Sequence, residues 1–268
     1  MRIYIRIIAG LVGLLFGHAA TGQCRIDLWK QGNVPNTHGV PVSDSIANER
    51  IYRVSMPRIQ AFYTSKQENK GGAVLIIPGG GYSRLAYEVS GYQLAKMFNT
   101  IDMHAFVLEH RLPVSSSSSS PQLAPLEDAQ RAMRIIRSLA DSMGIDTAKI
   151  GVLGSSAGGH LAASLSTWEK DLSSSGDSID AYPFKPNFQI LISPVIDMYD
   201  YAHSGSREQL LGKVPKEQDK RSFSLQYQVT SKTPKAFVVH AFNDKSVAVN
   251  NSLLYYGALV DKGVRSTL

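Results

Sequence analysis

The sequence predicts an α/β protein with a mainly parallel, doubly wound sheet and helices on both of its faces. Short apolar runs of strand length alternate with amphipathic helical segments along the chain. A glycine–X–serine–X–glycine pattern lies between one such run and one such helix. Alternating strands and helices of this kind form parallel sheets with right-handed crossovers. The length of 268 residues and the 43% hydrophobic content fit one large domain with a substantial core.

The first 22 residues are expected to be a signal peptide. Arg2 and Arg6 form a positive start, residues 7–16 are a short apolar core, and small residues at 20 and 22 place cleavage before Gln23. The apolar run is too short for a transmembrane helix. We therefore expect an exported protein, periplasmic or secreted, without membrane association after cleavage. A lipoprotein anchored through Cys24 is the alternative, which the glutamine directly before that cysteine disfavours.

The domain is expected to span 23–268 and to open with β-structure. Residues 51–62 resemble antiparallel strand, with a break or an edge at Pro57. Residues 73–77 form a short, branched apolar run that predicts a fully buried strand. A helix over 91–98 and a strand over 103–108 follow.

The second half continues the alternation. A long helix is expected over 123–143, and a strand from 150 leads into the glycine–serine pattern and a helix. Further strands are predicted over 188–194 and 236–240, followed by a helix over 246–260. Residues 264–268 resemble the opening of one more strand, so we expect the final strand of the sheet to be missing from this chain.

The pattern Gly154-Ser155-Ser156-Ala157-Gly158 has the strand–turn–helix setting of a nucleophile elbow. The turn is so tight that side chains at 154 and 158 would collide with the backbone, so glycine is needed there. Ser156 would then be exposed at a helix N-terminus, which favours a developing anion. The alternative is a glycine-rich loop with an incidental serine.

A run of three glycines, 79–81, follows the buried strand at 73–77. Acyl transfer needs backbone amides directed at an oxyanion, and such a run lets the main chain approach a substrate closely. A hairpin or a phosphate-binding loop is the alternative. The run lacks the Lys-Ser/Thr of a P-loop and the spacing of a dinucleotide fingerprint. It precedes Ser156 in the order that the hydrolase motif predicts.

Asp244 is the candidate acid, because it follows the predicted strand at 236–240 on a loop at the strand's carboxyl end. Its role would be to orient a histidine and stabilise the imidazolium. An exposed aspartate that caps the next helix is the alternative. Asp197 and Asp200, after the preceding strand, are weaker competitors.

A histidine should follow the acid in such a triad, and none does. His160 is expected to point along the helix after Ser156, away from the base position, and His240 to pack in the core. We therefore expect the histidine loop to lie beyond Leu268, and the 268-residue chain to be nearly inactive and less stable than an extended form. All seven histidines precede Asp244: His18, His38, His104, His110, His160, His203 and His240.

Seven segments together resemble the bacterial esterase branch of the α/β-hydrolases, related to hormone-sensitive lipase and acetyl xylan esterase. They are 28–30, 78–82, 108–113, 128–131, 154–160, 192–194 and 240–244. The resemblance implies an α/β-hydrolase fold, with Ser156 as nucleophile, Asp244 as acid and the amides of Gly80, Gly81 and Ala157 as oxyanion hole.

The resemblance also implies two-step hydrolysis of short acyl esters, acetyl above all, on carbohydrates such as acetylated xylan. A catalytically impaired protein that binds carbohydrate esters and a serine exopeptidase of the same fold are the alternatives. No metal or organic cofactor is expected, because no Cys/His cluster has ligand spacing. The single cysteine excludes an internal disulfide.

The charge does not suggest a nucleic-acid partner. The formal net charge is +6, and loss of the two arginines in the signal segment would leave +4. No lysine- or arginine-rich block stands out, so nucleic-acid binding is not expected.

Overall fold

The computed structural model describes residues 23–30, 32–113 and 117–268, so the predicted signal peptide lies outside the described residues. The described part contains ten strands and seven α-helices. The strands are β1 Gln23–Asp27, β2 Ser45–Ala47, β3 Arg50–Arg53, β4 Arg58–Phe62, β5 Gly72–Ile77, β6 Met103–Glu109, β7 Ile150–Ser155, β8 Phe188–Ile192, β9 Lys235–Val239 and β10 Ser266–Thr267. The helices are α1 Gln93–Asn99, α2 Ala124–Ser138, α3 Ala140–Met143, α4 Ala157–Thr167, α5 Ser204–Leu211, α6 Glu217–Phe223 and α7 Asn250–Asp261.

Eight strands form the central sheet in the order β1-β4-β6-β5-β7-β8-β9-β10, and β2 and β3 form a separate hairpin. The pairs β1–β4 and β4–β6 are antiparallel, whereas every pair from β6 to β10 is parallel. The predicted mainly parallel α/β sheet is therefore confirmed. The antiparallel opening and the break before Pro57 are also as predicted.

Helices cover both faces of the sheet, because alternate residues of its buried strands belong to two different clusters. Leu75 and Ile77 of β5 pack in the large cluster with side chains of α2, α4 and α7. Val74 and Ile76 pack in a second cluster that contains Ala95 and other side chains of α1. Successive side chains of a strand point to opposite faces, so the sheet is doubly wound as predicted.

Two helical predictions need correction, and two further helices were not predicted. The helix expected over 123–143 is interrupted at Leu139 and forms α2 and α3. The helix expected over 246–260 starts only at Asn250, after a turn organised by Asp244. Helices α5 and α6 were not predicted, because neither is long nor apolar enough to show a clear helical period.

A buried charge network ties the N-terminal strand region to the helical layer. Asp128 of α2 is fully buried and accepts hydrogen bonds from the Trp29 indole at 2.9 Å and from the Arg111 guanidinium at 2.8 Å. Arg131, one turn further along α2, donates to the carbonyl of Leu28 and pairs with Asp177. Three of the segments that carry the family resemblance thus meet in one structural cluster.

The last strand of the described chain is short. Ser266 pairs with Ala236 and Thr267 with Phe237, so residues 264–268 open a strand parallel to β9 as predicted. No helix of the described residues combines the length and the apolar character that a membrane span requires.

Candidate active site

Ser156 occupies a strained turn between β7 and α4. Its backbone angles are φ +53° and ψ −122°. L-residues rarely adopt a positive φ, and such strain persists only where the surrounding structure enforces it. The half-buried Ser156 lies at the N-terminal end of α4, in the strand–turn–helix geometry predicted from the sequence.

Close backbone contacts enforce this turn. A Cβ atom on Gly154 would overlap the carbonyl oxygen of Gly158. A Cβ atom on Gly158 would overlap the carbonyl oxygen of Ile77 and lie 2.5 Å from that of Pro78. The structure therefore shows the close backbone contacts that the sequence predicted, and these contacts explain why glycine is needed at both positions.

The glycine loop at 79–81 lies directly against Ser156. A Cβ atom on Gly79 would be 3.4 Å from the Cβ of Ser156. Gly80 and Gly81 have φ values of +141° and +65°, and the Gly80 carbonyl accepts hydrogen bonds from the amides at 83 and 84. Within the described ranges, the amides of Gly80, Gly81 and Ala157 have no protein acceptor. The oxyanion hole expected from these three amides stays a prediction.

A cleft of about 350 Å³ opens above Ser156. It lies at the carboxyl ends of β5, β7 and β9, where ligand sites of open α/β sheets cluster. Its lining is mostly small and polar: Gly80, Gly81, Ser83, Arg84, Ser156, His203, Gly205, Gln209 and Ser246.

Asp244 lies at the carboxyl end of β9, as predicted. One carboxylate oxygen accepts hydrogen bonds from the amides of Ser246 at 2.8 Å and Val247 at 3.1 Å. The bond from Val247, followed by those from Ser246 and the Ser193 side chain, lowers the pKa of Asp244, so the carboxylate stays ionised. The other oxygen is 3.6 Å from Nε2 of His240. Asp244 thus caps a turn before α7, and its second oxygen faces His240.

The competitor Asp197 is engaged elsewhere. It is 3% exposed and accepts hydrogen bonds from the Tyr201 amide at 3.0 Å and the Gln226 side chain at 2.8 Å. These contacts hold the loop after β8 in place. Asp200 is exposed on that loop.

Two histidines close to the site are structural. The Nε2 of His160 lies 2.8 Å from the carbonyl of Phe223, so it carries the proton, and Nδ1 accepts from the Tyr82 hydroxyl at 2.8 Å. Burial lowers the pKa of His160 to about 4. In His240, Nε2 donates to the Val247 carbonyl and Nδ1 contacts the Ser252 hydroxyl. Both histidines are packed as expected from the sequence, and neither offers a free nitrogen to Ser156.

His203 and Arg84 line the cleft, and sequence reasoning gave neither of them a role. The Nδ1 of His203 accepts a hydrogen bond from the Ser206 amide at 3.1 Å and lies 2.8 Å from the Ser206 hydroxyl. His203 caps the N-terminus of α5, a helix without a sequence signal, so its position could not be predicted. Among the histidines that the structure describes, none has its imidazole hydrogen-bonded to the Ser156 hydroxyl, and His160 contacts Ser156 only through a backbone hydrogen bond of 3.1 Å.

Comparisons with known proteins agree on one family. The BD-FAE family profile matches residues 59–259. Endo-1,4-beta-xylanase B of Butyrivibrio fibrisolvens is 34% identical over 220 residues, which cover 81% of this chain and 34% of the xylanase. Acetylxylan esterase of Xylanibacter ruminicola is 33% identical over 207 residues, which cover 75% of this chain and 40% of the esterase.

One solved structure is also similar to this chain in both fold and sequence. The acetyl ester-xyloside bifunctional hydrolase of Caldicellulosiruptor lactoaceticus superposes with a TM-score of 0.77 at 33% identity, covering 91% of this chain and 84% of the hydrolase. The chain spans only 34% and 40% of the lengths of the two curated relatives.

Proposed function

Because the chain belongs to the BD-FAE family of α/β-hydrolase esterases, we propose that it is a serine esterase that removes short acyl groups, acetyl above all, from carbohydrates such as xylan. Membership of the acetyl xylan esterase branch confirms the resemblance noted from the sequence. The relatives named as an acetylxylan esterase and an acetyl ester-xyloside hydrolase support the substrate class.

The strained Ser156, held against the glycine loop, is the observation that carries the proposal. Its hydroxyl would attack the ester carbonyl while the amides of Gly80, Gly81 and Ala157 stabilise the oxyanion. The alcohol would leave, and water would then release the acyl group from Ser156. These steps need no metal or organic cofactor.

In this proposal Asp244 orients the imidazole that serves Ser156 as base. Its described imidazole neighbour is His240, whose two nitrogen atoms are bonded to Val247 and Ser252. That observation favours a second candidate, a hydrolase-fold protein that binds carbohydrate esters but turns them over poorly. A missing triad member typically leaves only the residual rate that the oxyanion hole and binding provide.

The cleft supports a short acyl group and a polar alcohol. Its volume is about 350 Å³, and its lining is dominated by glycine, serine and charged or amide side chains. Helix α5 forms one wall of the cleft through Gly205, Gln209 and its N-cap His203. A long acyl chain would find little apolar surface there.

Release of acetate tests the function directly. The 268-residue chain is incubated with 4-nitrophenyl acetate, the octanoate ester and acetylated xylan. We expect slow, residual hydrolysis that prefers acetate over octanoate, is lost in Ser156→Ala and is retained in the matched neighbour variant Ser155→Ala. Preference for octanoate would overturn the substrate class. Binding of acetylated xylan without acetate release would favour the second candidate.

We further propose that the protein is exported and that Gln23 is the mature N-terminus. N-terminal mass spectrometry of protein secreted by a bacterial host should find Gln23 as the first residue. An acylated Cys24 at the N-terminus would show the lipoprotein alternative to be right.

A further inference from the structure

The cleft beside Ser156 is rich in hydrogen-bond donors and carries positive charge. We propose that Arg84 and His203 bind a carboxylate on the sugar part of the ester, so that the preferred substrates are acyl esters of acidic, uronic-acid-containing carbohydrates. The inference rests on the proposed function for the identity of the ligand as an ester of a sugar. The carboxylate site itself rests on the groups that line the cleft.

Arg84 is placed by the glycine loop. Its amide donates to the Gly80 carbonyl at 3.2 Å, and a Cβ atom on Gly80 would lie 3.2 Å from its Cγ. The Arg84 side chain therefore starts beside the proposed oxyanion hole, and it lines the same cleft as Ser156. A group bound by Arg84 would belong to the same ligand as an ester carbonyl at Ser156.

The Arg84 guanidinium has no carboxylate partner among the residues that the structure describes, and its only side-chain hydrogen bond goes to the Ser83 hydroxyl at 3.4 Å. The arginines of the helical layer differ in this respect, since Arg111, Arg131 and Arg134 are each paired with acids. No aspartate or glutamate is among the side chains that line the cleft. The positive charge of Arg84 is thus uncompensated within the cleft.

His203 adds a fixed donor to this wall. Because its Nδ1 accepts from the backbone amide of Ser206, the proton of the neutral ring is on Nε2. Ser206 is fully buried, and its hydroxyl would lie 3.9 Å from a Cβ atom on Gly81, so the imidazole is anchored next to the glycine loop.

Arg84 and His203 Nε2 both donate and do not accept hydrogen bonds in this state. A sugar hydroxyl needs donors and acceptors, whereas a carboxylate only accepts and pairs well with a guanidinium. The charge of the guanidinium therefore favours an anionic acceptor over a neutral hydroxyl or amide oxygen, which also accepts hydrogen bonds but carries no charge.

Binding of D-glucuronate and of its uncharged analogue D-glucuronamide to the 268-residue chain tests this inference without the need for catalysis. We expect glucuronate to bind more tightly by about threefold or more at low ionic strength, a modest factor because Arg84 is solvent-exposed. The preference should fall as salt is added. It should disappear in Arg84→Gln and persist in Arg53→Gln, which removes the same charge from an exposed position on β3 outside the cleft lining.

Equal affinity for the two sugars, or a glucuronate preference that survives in Arg84→Gln, would overturn the carboxylate site. Failure of the esterase proposal would be seen separately, as no acetate release from any ester. A glucuronate preference that is lost only in Arg84→Gln supports the site whatever the rate of hydrolysis.

Discussion

Gly158 shows how much one methyl group matters at the turn after β7. An added Cβ would overlap the Ile77 carbonyl, and backbone atoms cannot move aside as a flexible side chain can. We expect Gly158→Ala to lower the free energy of unfolding by about 1–3 kcal/mol, as overpacking does, and to disturb Ser156. Urea unfolding measures the loss.

Gly257 provides the matched control for that substitution. It lies inside α7 with nothing within 4 Å of an added Cβ, so Gly257→Ala should stabilise the chain by roughly 0.5–1 kcal/mol. Similar effects of the two substitutions would contradict the steric account of the turn.

His160 links stability to pH. Burial holds its pKa at about 4 in the folded chain against an ordinary value of 6.5, so between these values the unfolded chain binds more protons. The stability that neutral His160 contributes is complete above pH 6.5 and is lost as the pH falls towards 4, by roughly 3 kcal/mol. Urea unfolding at pH 7 and pH 4.5 measures this loss.

His160→Gln should make that acid-dependent loss smaller, because glutamine does not titrate. The exposed His38, changed to glutamine, serves as control and should leave the loss unchanged. An identical pH dependence in the wild-type chain and in His160→Gln would show that the buried imidazole is not its source.

The residue-level features that sequence could predict are those fixed by local chain geometry. The short turn between β7 and α4 predicts the roles of Gly154, Ser156 and Gly158. The loop after β9, the second strand beyond that turn, predicts the role of Asp244. His203 could not be found in this way, because its place in the cleft depends on the packing of α5.

Among the secondary-structure elements, α2 is joined to the segment directly after β6 through Asp128 and Arg111. Asp128 is completely buried and also accepts the Trp29 indole hydrogen bond. Asp128→Asn would leave a buried arginine short of a counter-charge, so we expect a loss of about 3–5 kcal/mol in the free energy of unfolding. The exposed pair Arg25–Asp27 is the comparison, and Asp27→Asn should cost no more than about 1 kcal/mol. Equal losses would mean that burial does not set the strength of the network.

The strands were easier to predict than the helices, for a physical reason. Buried parallel strands such as β5 and β7 are continuous apolar runs that stand out in any sequence. The break at Leu139, the late start of α7 at Asn250 and the short helices α5 and α6 depend on tertiary contacts and capping, which leave little trace in apolar spacing.

At the scale of the whole molecule, parallel strand direction assembles the site. The glycine loop follows β5, Ser156 follows β7 and Asp244 follows β9, so segments far apart in sequence meet at one edge of the sheet. This convergence was predictable, because parallel strands all end at the same edge. The far wall of the cleft, formed by α5, was not.

Covalent labelling of the 268-residue chain tests most directly whether this edge of the sheet is a serine esterase site. After incubation with a fluorophosphonate, intact-mass and peptide mass spectrometry should find one adduct, on Ser156, which disappears in Ser156→Ala and remains in Ser155→Ala. An adduct on another residue, or an adduct that survives in Ser156→Ala, would contradict the assignment of Ser156 as the nucleophile.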